Sequence, residues 1–206
     1  MPTGSSAFLA ALANRRSYYG LRPESPTPDA KIHSILSEVM LTTPSAFNSQ
    51  TTRAILLLKK EHERFWEIAK DVLLARIGPE RFAKTGPKLD NFKAAYGTVL
   101  FYEDQLVVAQ TKERFPTYSE NIEPWSEHSS GMHQINSWVA LEAEGFGANL
   151  QHYNPIIDEK VQAEFHIPKN WKLRSQLVFG LPNGESPPPK DKLPLDELLQ
   201  VWGADA

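Results

Sequence analysis

The sequence predicts an α+β fold, a sheet core flanked by helices, and two patterns carry that reading. Three short apolar runs, "RAILLLKK", "TVLFYE" and "LRSQLVFGLP", have the length of buried strands. Longer segments between them repeat apolar residues at helical spacing. Strands separated by helical pieces within 206 residues fit one domain, 1–206, on one sheet.

The elements follow in chain order. Ser6 to Asn14 reads as a short helix, with Ser5 or Ser6 able to cap it and Phe8, Leu9 and Leu12 on one face. In "SPTPDAKIHSILSEVML", Thr27 suits the cap and Pro28 the first turn, ahead of Ile32, Ile35, Leu36, Val39 and Met40. "TTPSAFNSQTT" is loop, and "RAILLLKK" the first strand. Glu61 to Ile77 is an amphipathic helix stopped by Gly78 and Pro79, and "TGPKLDNFKAAYG" passes from loop into helix. After the strand "TVLFYE" come a helix over 104–110, a loop over 111–124, and a long helix from "WSEHSSGM" to the glycines at 145 and 147. "ANLQHYNP" reads as short strand or extended loop, 158–165 as a small helix, "LRSQLVFGLP" as the third strand, "NGESPPPKDKLP" as loop and "LDELLQVW" as a last helix.

Composition excludes several classes of function. With 22 basic against 25 acidic side chains the net charge is −3, so no cationic excess awaits a phosphate backbone and nucleic acid is not a partner to expect. The chain has no cysteine, which removes disulfides, thiolate nucleophiles, thiolate metal sites and cysteinyl cofactor attachment, and fits a reducing compartment. No stretch approaches the roughly 20 apolar residues that span a bilayer, and no basic region precedes the first apolar run. The expected location is cytoplasmic or nuclear, with no membrane partner.

Several catalytic motifs are absent or misplaced. There is no HExxH, and His128 and His133, five apart, do not share a helix face. No GxSxG surrounds Ser129 or Ser130. "GFGANL" lacks the third glycine of a dinucleotide fingerprint and ends a helix instead of opening one. Glu103 and Asp104, adjacent at a strand end, point to different sides.

What remains is a set of polar clusters at element ends: "RRS", "PSAFNSQ", "GANLQHYN" and "PKDK". Two are basic and two are rich in amide and backbone donors, a combination suited to a ligand with a phosphate at one end and a polar heterocycle at the other. Each cluster has a bland explanation: arginines at a helix C-terminus complement its dipole, and Ser45 and Asn48 can cap a loop.

Taken together, "RRSYY", "TPSAFNSQTTR", "YGTVLFYED", "WSEHSSGM" and "GFGANLQHYNP" resemble the nitroreductase family, in its short fungal and bacterial branch of Frm2-like and Hbn1-like proteins. The resemblance covers essentially the whole chain. It implies a mostly antiparallel sheet, non-covalent FMN, and a homodimer joined through the long helix with both flavins at the interface. It also implies NADH or NADPH as donor and nitroaromatics or quinones as acceptors, in ping-pong turnover with hydride passing to flavin N5.

Carried over by position, the resemblance puts Arg15, Arg16 and Ser17 on the phosphate, ribityl chain and pyrimidine edge, where a guanidinium fork suits either task. Pro44, Ser45, Ala46 and Asn48, with Gln50 nearby, would reach the partner's flavin. Leu150, Gln151, His152 and Tyr153 would run along the reactive edge, offering the backbone near Gln151 and His152 to N5, so no side chain is assigned as general base. Lys190 and Lys192 would close over the phosphate, one of Lys88, Asn91 and Lys93 would contact the ring, and Phe115, Tyr118 and Trp125 are candidates for a lid. Larger members wrap the partner with a C-terminal extension, whereas this chain runs out at "LLQVWGADA". Two other classes fit the same residues: a flavin-binding regulatory or storage protein with little turnover, and a flavin-free interaction protein that kept the fold.

Overall fold

Alternation along two central strands organises the molecule, which the computed structural model describes over residues 4–203; residues 1–3 and 204–206 lie outside the described residues. In β3 (Gly97–Asp104) every residue is buried, as only an interior strand covered on both faces can be. Its neighbours β2 (Thr52–Leu58) and β5 (Trp171–Pro182) both run antiparallel to it, with Ala54 opposite Phe101 and Val99 opposite Leu177. The far edge of β5 is shared: β4 (Gly147–Gln151) pairs along Gln176–Gly180, and β1 (Leu21–Arg22) pairs with Leu181 and Pro182.

Successive side chains enter opposite layers. Leu100, Tyr102, Leu173 and Val178 meet Phe65, Trp66, Leu89 and Phe92 of α3 (Lys59–Lys93) and Val161 of α6 (Asp158–Glu164). Val99, Phe101, Leu177 and Phe179 meet Ile32 and Leu36 of α2 (Asp29–Thr42) and Leu141 of α5 (Ser119–Ala143). Each such side chain contributes about 1.5–3 kcal/mol when fully buried, so both faces need their helices.

The expected mostly antiparallel sheet flanked by helices is therefore observed, and α1 (Ser6–Asn14) has its expected bounds. Other expectations need correction. The helix after β2 does not stop at Gly78 but breaks there (φ 76°, ψ 164°) and resumes at Pro79, through the "TGPK" expected as loop. Burial of Leu89 and Phe92 outweighs the Gly-Pro signal. The expected loop over 111–124 is mostly helical: α4 (Gln105–Arg114) is followed by a turn at Pro116–Tyr118, and α5 starts at Ser119 with Pro124 inside. Buried Ile122 and Ser126 anchor that first part of α5. Pro28, one residue after the expected Thr27, is the residue preceding α2. The last helix, α7, shrinks to Leu195–Leu198, whose leucines stay largely exposed and cannot hold a longer one.

Candidate functional site

Two of the polar clusters are stitched together where α1 runs past the edge of the sheet. Ser17 bridges Ala148 in parallel, and the Tyr18 N–H donates to the Ala148 carbonyl at 2.9 Å. The buried Asn149 amide donates to the Tyr18 carbonyl at 2.6 Å, and Gln151 donates to Asn149 at 2.8 Å. "NLQHY" side chains thus hold "RRSYY" in place. The approach is close: a Cβ added at Gly147 would lie 2.8 Å from the Tyr18 ring.

This seam borders a cleft of about 1030 Å³ whose walls include Arg15, Arg16, Ser17, Trp138, Lys190 and Lys192. Arg15, Lys190 and Lys192 take part in none of the ion pairs among the described residues, leaving three uncommitted cations around one concavity. The Arg15 guanidinium lies over the Trp138 ring, 4.4 Å from its centroid. The indole N–H donates to Glu142 Oε1 at 2.6 Å, and the Arg16 N–H donates to Oε2 at 3.0 Å. Burial pushes the Glu142 carboxyl above its ordinary value, against the opposing pull of those two donors. Trp138 and Glu142 stand one helical turn apart on α5, a spacing readable in the sequence, but nothing there tied the pair to the arginines.

Along the expected reactive edge the four residues separate. Gln151 is buried, Leu150 half-buried and His152 exposed. The Tyr153 N–H is committed to Gln176 at 2.7 Å, and its ring sits among Trp66 and Phe92 in the core. Backbone donors facing outward along this stretch must therefore come from positions before Tyr153. Lys88, Asn91 and Lys93 lie on α3 and none lines the cleft; Lys93 pairs with Glu67 at 2.5 Å, and Lys88 lies 5.7 Å from the Phe92 ring.

The loop carrying Pro44, Ser45, Ala46, Asn48 and Gln50 does not join that cleft within one protomer. Ser45 Oγ accepts the Gln50 N–H at 3.0 Å, the local role that its bland explanation gives it. Phe47, Asn48 and Gln50 adopt positive φ (54°, 53° and 50°), a costly conformation for side chains with a Cβ. Its exit is clamped: Arg53 donates to the Gln50 carbonyl at 2.7 Å and pairs at 3.1 Å with Asp104, which caps α4. Glu103 turns the other way into the interior, taking the Thr52 hydroxyl at 2.7 Å, so the adjacent carboxylates diverge as expected.

Strain at Phe47 presents its ring to all three lid candidates. It stacks on Phe115 at 4.1 Å and 15° and meets Tyr118 at 5.6 Å and Trp125 at 5.9 Å. Beside it opens a cavity of about 410 Å³ lined by Ala46, Phe47, Trp125, His128, Ser129 and Met132. Phe47 was legible as part of "PSAFNSQ", but its contact with a segment 68 residues away was not.

The chain is thus an α+β protein with a cation-walled cleft at the edge of its sheet. More specifically, the chain is a member of the nitroreductase family: the model of the Nitroreductase family matches residues 12–181. It is 35% identical over 207 residues to nitroreductase FRM2 of Saccharomyces cerevisiae, covering 98% of both chains. Nitroreductase CinD of Lactococcus lactis, solved in complex with chloramphenicol, superimposes with a TM-score of 0.85 at 41% identity, over 94% of this chain and 98% of that one. CinD has also been solved with 4-nitrophenol. A nitroreductase from Desulfitobacterium hafniense with bound FMN shares the fold, with a TM-score of 0.69 at 15% identity over 94% of this chain and 97% of that one.

Proposed function

We propose that this chain is an FMN-dependent oxidoreductase that takes reducing equivalents from NADH or NADPH and passes them to nitroaromatic compounds, with quinones as a second acceptor class. The observation that carries the reading is the cleft of about 1030 Å³ with Arg15, Lys190 and Lys192 unpaired around it and Ser17 on its wall. That donor set fits a phosphate, and the unpaired charges would gain a partner on binding. Bound FMN supplies a hydride acceptor at N5 that donor and acceptor can use in turn, in ping-pong fashion.

The chain's own part is to hold and orient. Arg15, Ser17, Lys190 and Lys192 take the phosphate end, while the backbone near Gln151 and His152 offers donors toward the reactive edge. Pro44, Ser45, Ala46, Asn48 and Gln50 serve the other protomer's site in a homodimer. Exposed Phe8 and Leu9 on α1 and exposed Leu193, Leu195, Leu198, Leu199, Val201 and Trp202 in the C-terminal segment support such an apolar interface. The aromatic group of Phe47, Phe115, Tyr118 and Trp125 forms the wall that acceptors meet, and the nitroaromatic complexes of CinD support that class of acceptor. One domain, 1–206, does this work in the cytoplasm or nucleus; among the described residues no helix is long and apolar enough to cross a membrane.

Titration of FMN into the purified protein, followed by quenching of flavin fluorescence, tests the cleft. Arg15→Gln weakens binding by about tenfold or more, the worth of one charge-assisted hydrogen bond. Equal affinity in the variant would remove Arg15 from the site.

A further inference from the structure

We propose that Arg16 is a positioning residue and not a ligand of the anion: its guanidinium fastens the Pro187–Lys192 segment across the cleft, leaving Arg15 and the two lysines to meet a phosphate. The identity of the ligand rests on the flavin reading above; the fastening does not.

Neighbouring arginines here have opposite commitments. The Arg15 guanidinium lies over the face of Trp138 and makes no hydrogen bond or ion pair among the described residues. Arg16 Nη1 donates to the Ala13 carbonyl at 2.5 Å and to the Arg15 carbonyl at 2.8 Å, at the end of α1 where carbonyls lack helical partners. Its Nε donates to the Pro187 carbonyl at 3.2 Å, a contact spanning 171 residues of sequence. Its main-chain N–H is held by Glu142 at 3.0 Å, so the residue is tied to α1, α5 and the C-terminal segment together. A planar guanidinium with two of its nitrogens engaged on separate segments has its plane fixed, and only Nη2 is left over.

The Pro187 carbonyl is an effective place to hold this segment. Pro187, Pro188 and Pro189 are consecutive, and such a run favours the stiff polyproline II helix, rising about 3.1 Å per residue. Holding its first carbonyl therefore sets where Lys190 emerges about 9 Å further on. Lys190 and Lys192 do line the same cleft as Arg15. Without Arg16 the segment has no other side-chain hydrogen bond to the body of the protein among the described residues. Charge alone would not replace it, since a lysine ammonium gathers its three donors on one nitrogen and lacks the planar fork that reaches Pro187 from Nε and the end of α1 from Nη1.

Trypsin cleavage after Lys190 and Lys192 in the flavin-free full chain reads the fastening directly. Arg16→Gln and Arg16→Lys both speed cleavage there by about fivefold to tenfold, the net scale of one intramolecular hydrogen bond, while sites elsewhere keep the wild-type rate and Arg15→Gln changes neither. FMN affinity supplies the second readout. The loss caused by Arg16→Gln disappears in a chain already carrying Lys190→Gln and Lys192→Gln, because Arg16 acts through those lysines. Unchanged cleavage overturns the proposal, as does an FMN loss that persists undiminished without the lysines, the mark of a direct Nη2 contact. Faster cleavage at every site in both Arg16 variants overturns it too, making Arg16 a folding residue. Because cleavage involves no flavin, faster cleavage in a chain that binds no FMN would keep the fastening and sink the flavin reading alone.

Discussion

His62 shows how far single-residue chemistry can be resolved in this interior. The ring is fully buried, with Nε2 3.2 Å from the Lys93 carbonyl and Nδ1 2.8 Å from the Thr98 hydroxyl. A carbonyl can only accept, so Nε2 carries the proton; Trp66 donates to Thr98 Oγ1 at 3.0 Å, leaving that hydroxyl to donate to Nδ1. Every member is satisfied only while the imidazole is neutral, and burial lowers its pKa to about 4. A folded pKa below the unfolded value of 6.5 means that the unfolded chain binds more protons between those limits. The stability from neutral His62 is present above pH 6.5 and fades as pH falls toward 4, by about 3 kcal/mol. Urea unfolding of wild type and His62→Gln at pH 7 and pH 4.5 checks this. The wild type loses more stability than the variant on acidification, and equal losses would contradict the assignment.

At the scale of elements, the closeness of α1's exit to β4 governs the cleft. Gly147 is needed there for space, because the Tyr18 ring and Leu21 side chain occupy the volume of a Cβ. Gly147→Ala pushes the segment carrying Arg15–Ser17 off the strand, costing about 1–3 kcal/mol of stability. FMN affinity falls with it, which calorimetric unfolding and flavin titration measure together; wild-type values for both would show that the seam does not set the cleft. The sequence made much of this legible. "RRS" ended a helix, "NLQHY" followed another, and periodicity located β2, β3 and β5 because their apolar runs are short and continuous. The failures share a cause. Pro87 and Pro124 read as loop signals but lie in helices whose buried side chains hold them, and a two-residue strand such as β1 has no period to detect. The stack of Phe47 on Phe115 and the link from Arg16 to Pro187 join distant segments, which spacing along the chain does not encode.

The whole molecule divides its labour between two edges of one sheet. The β4 edge carries the cleft and its cations, while the strained loop before β2 and the aromatic wall sit at the other end of α5, whose Trp125 and Trp138 face the two regions. In the proposed homodimer, a second copy that brings loop 44–50 to the cleft would complete one site from the two regions. The apolar side chains exposed on α1 and in the C-terminal segment are the surface such a copy would cover. An anaerobic visible spectrum of the FMN-loaded protein, taken with NADH, then with NADPH, then with 4-nitrophenol, reads the proposed turnover at the flavin itself. The flavin absorbance is expected to bleach with one of the nucleotides and to return when the nitro compound is added. Flavin that stays bound and oxidised with both nucleotides would contradict that turnover and leave a protein that binds FMN without turning it over.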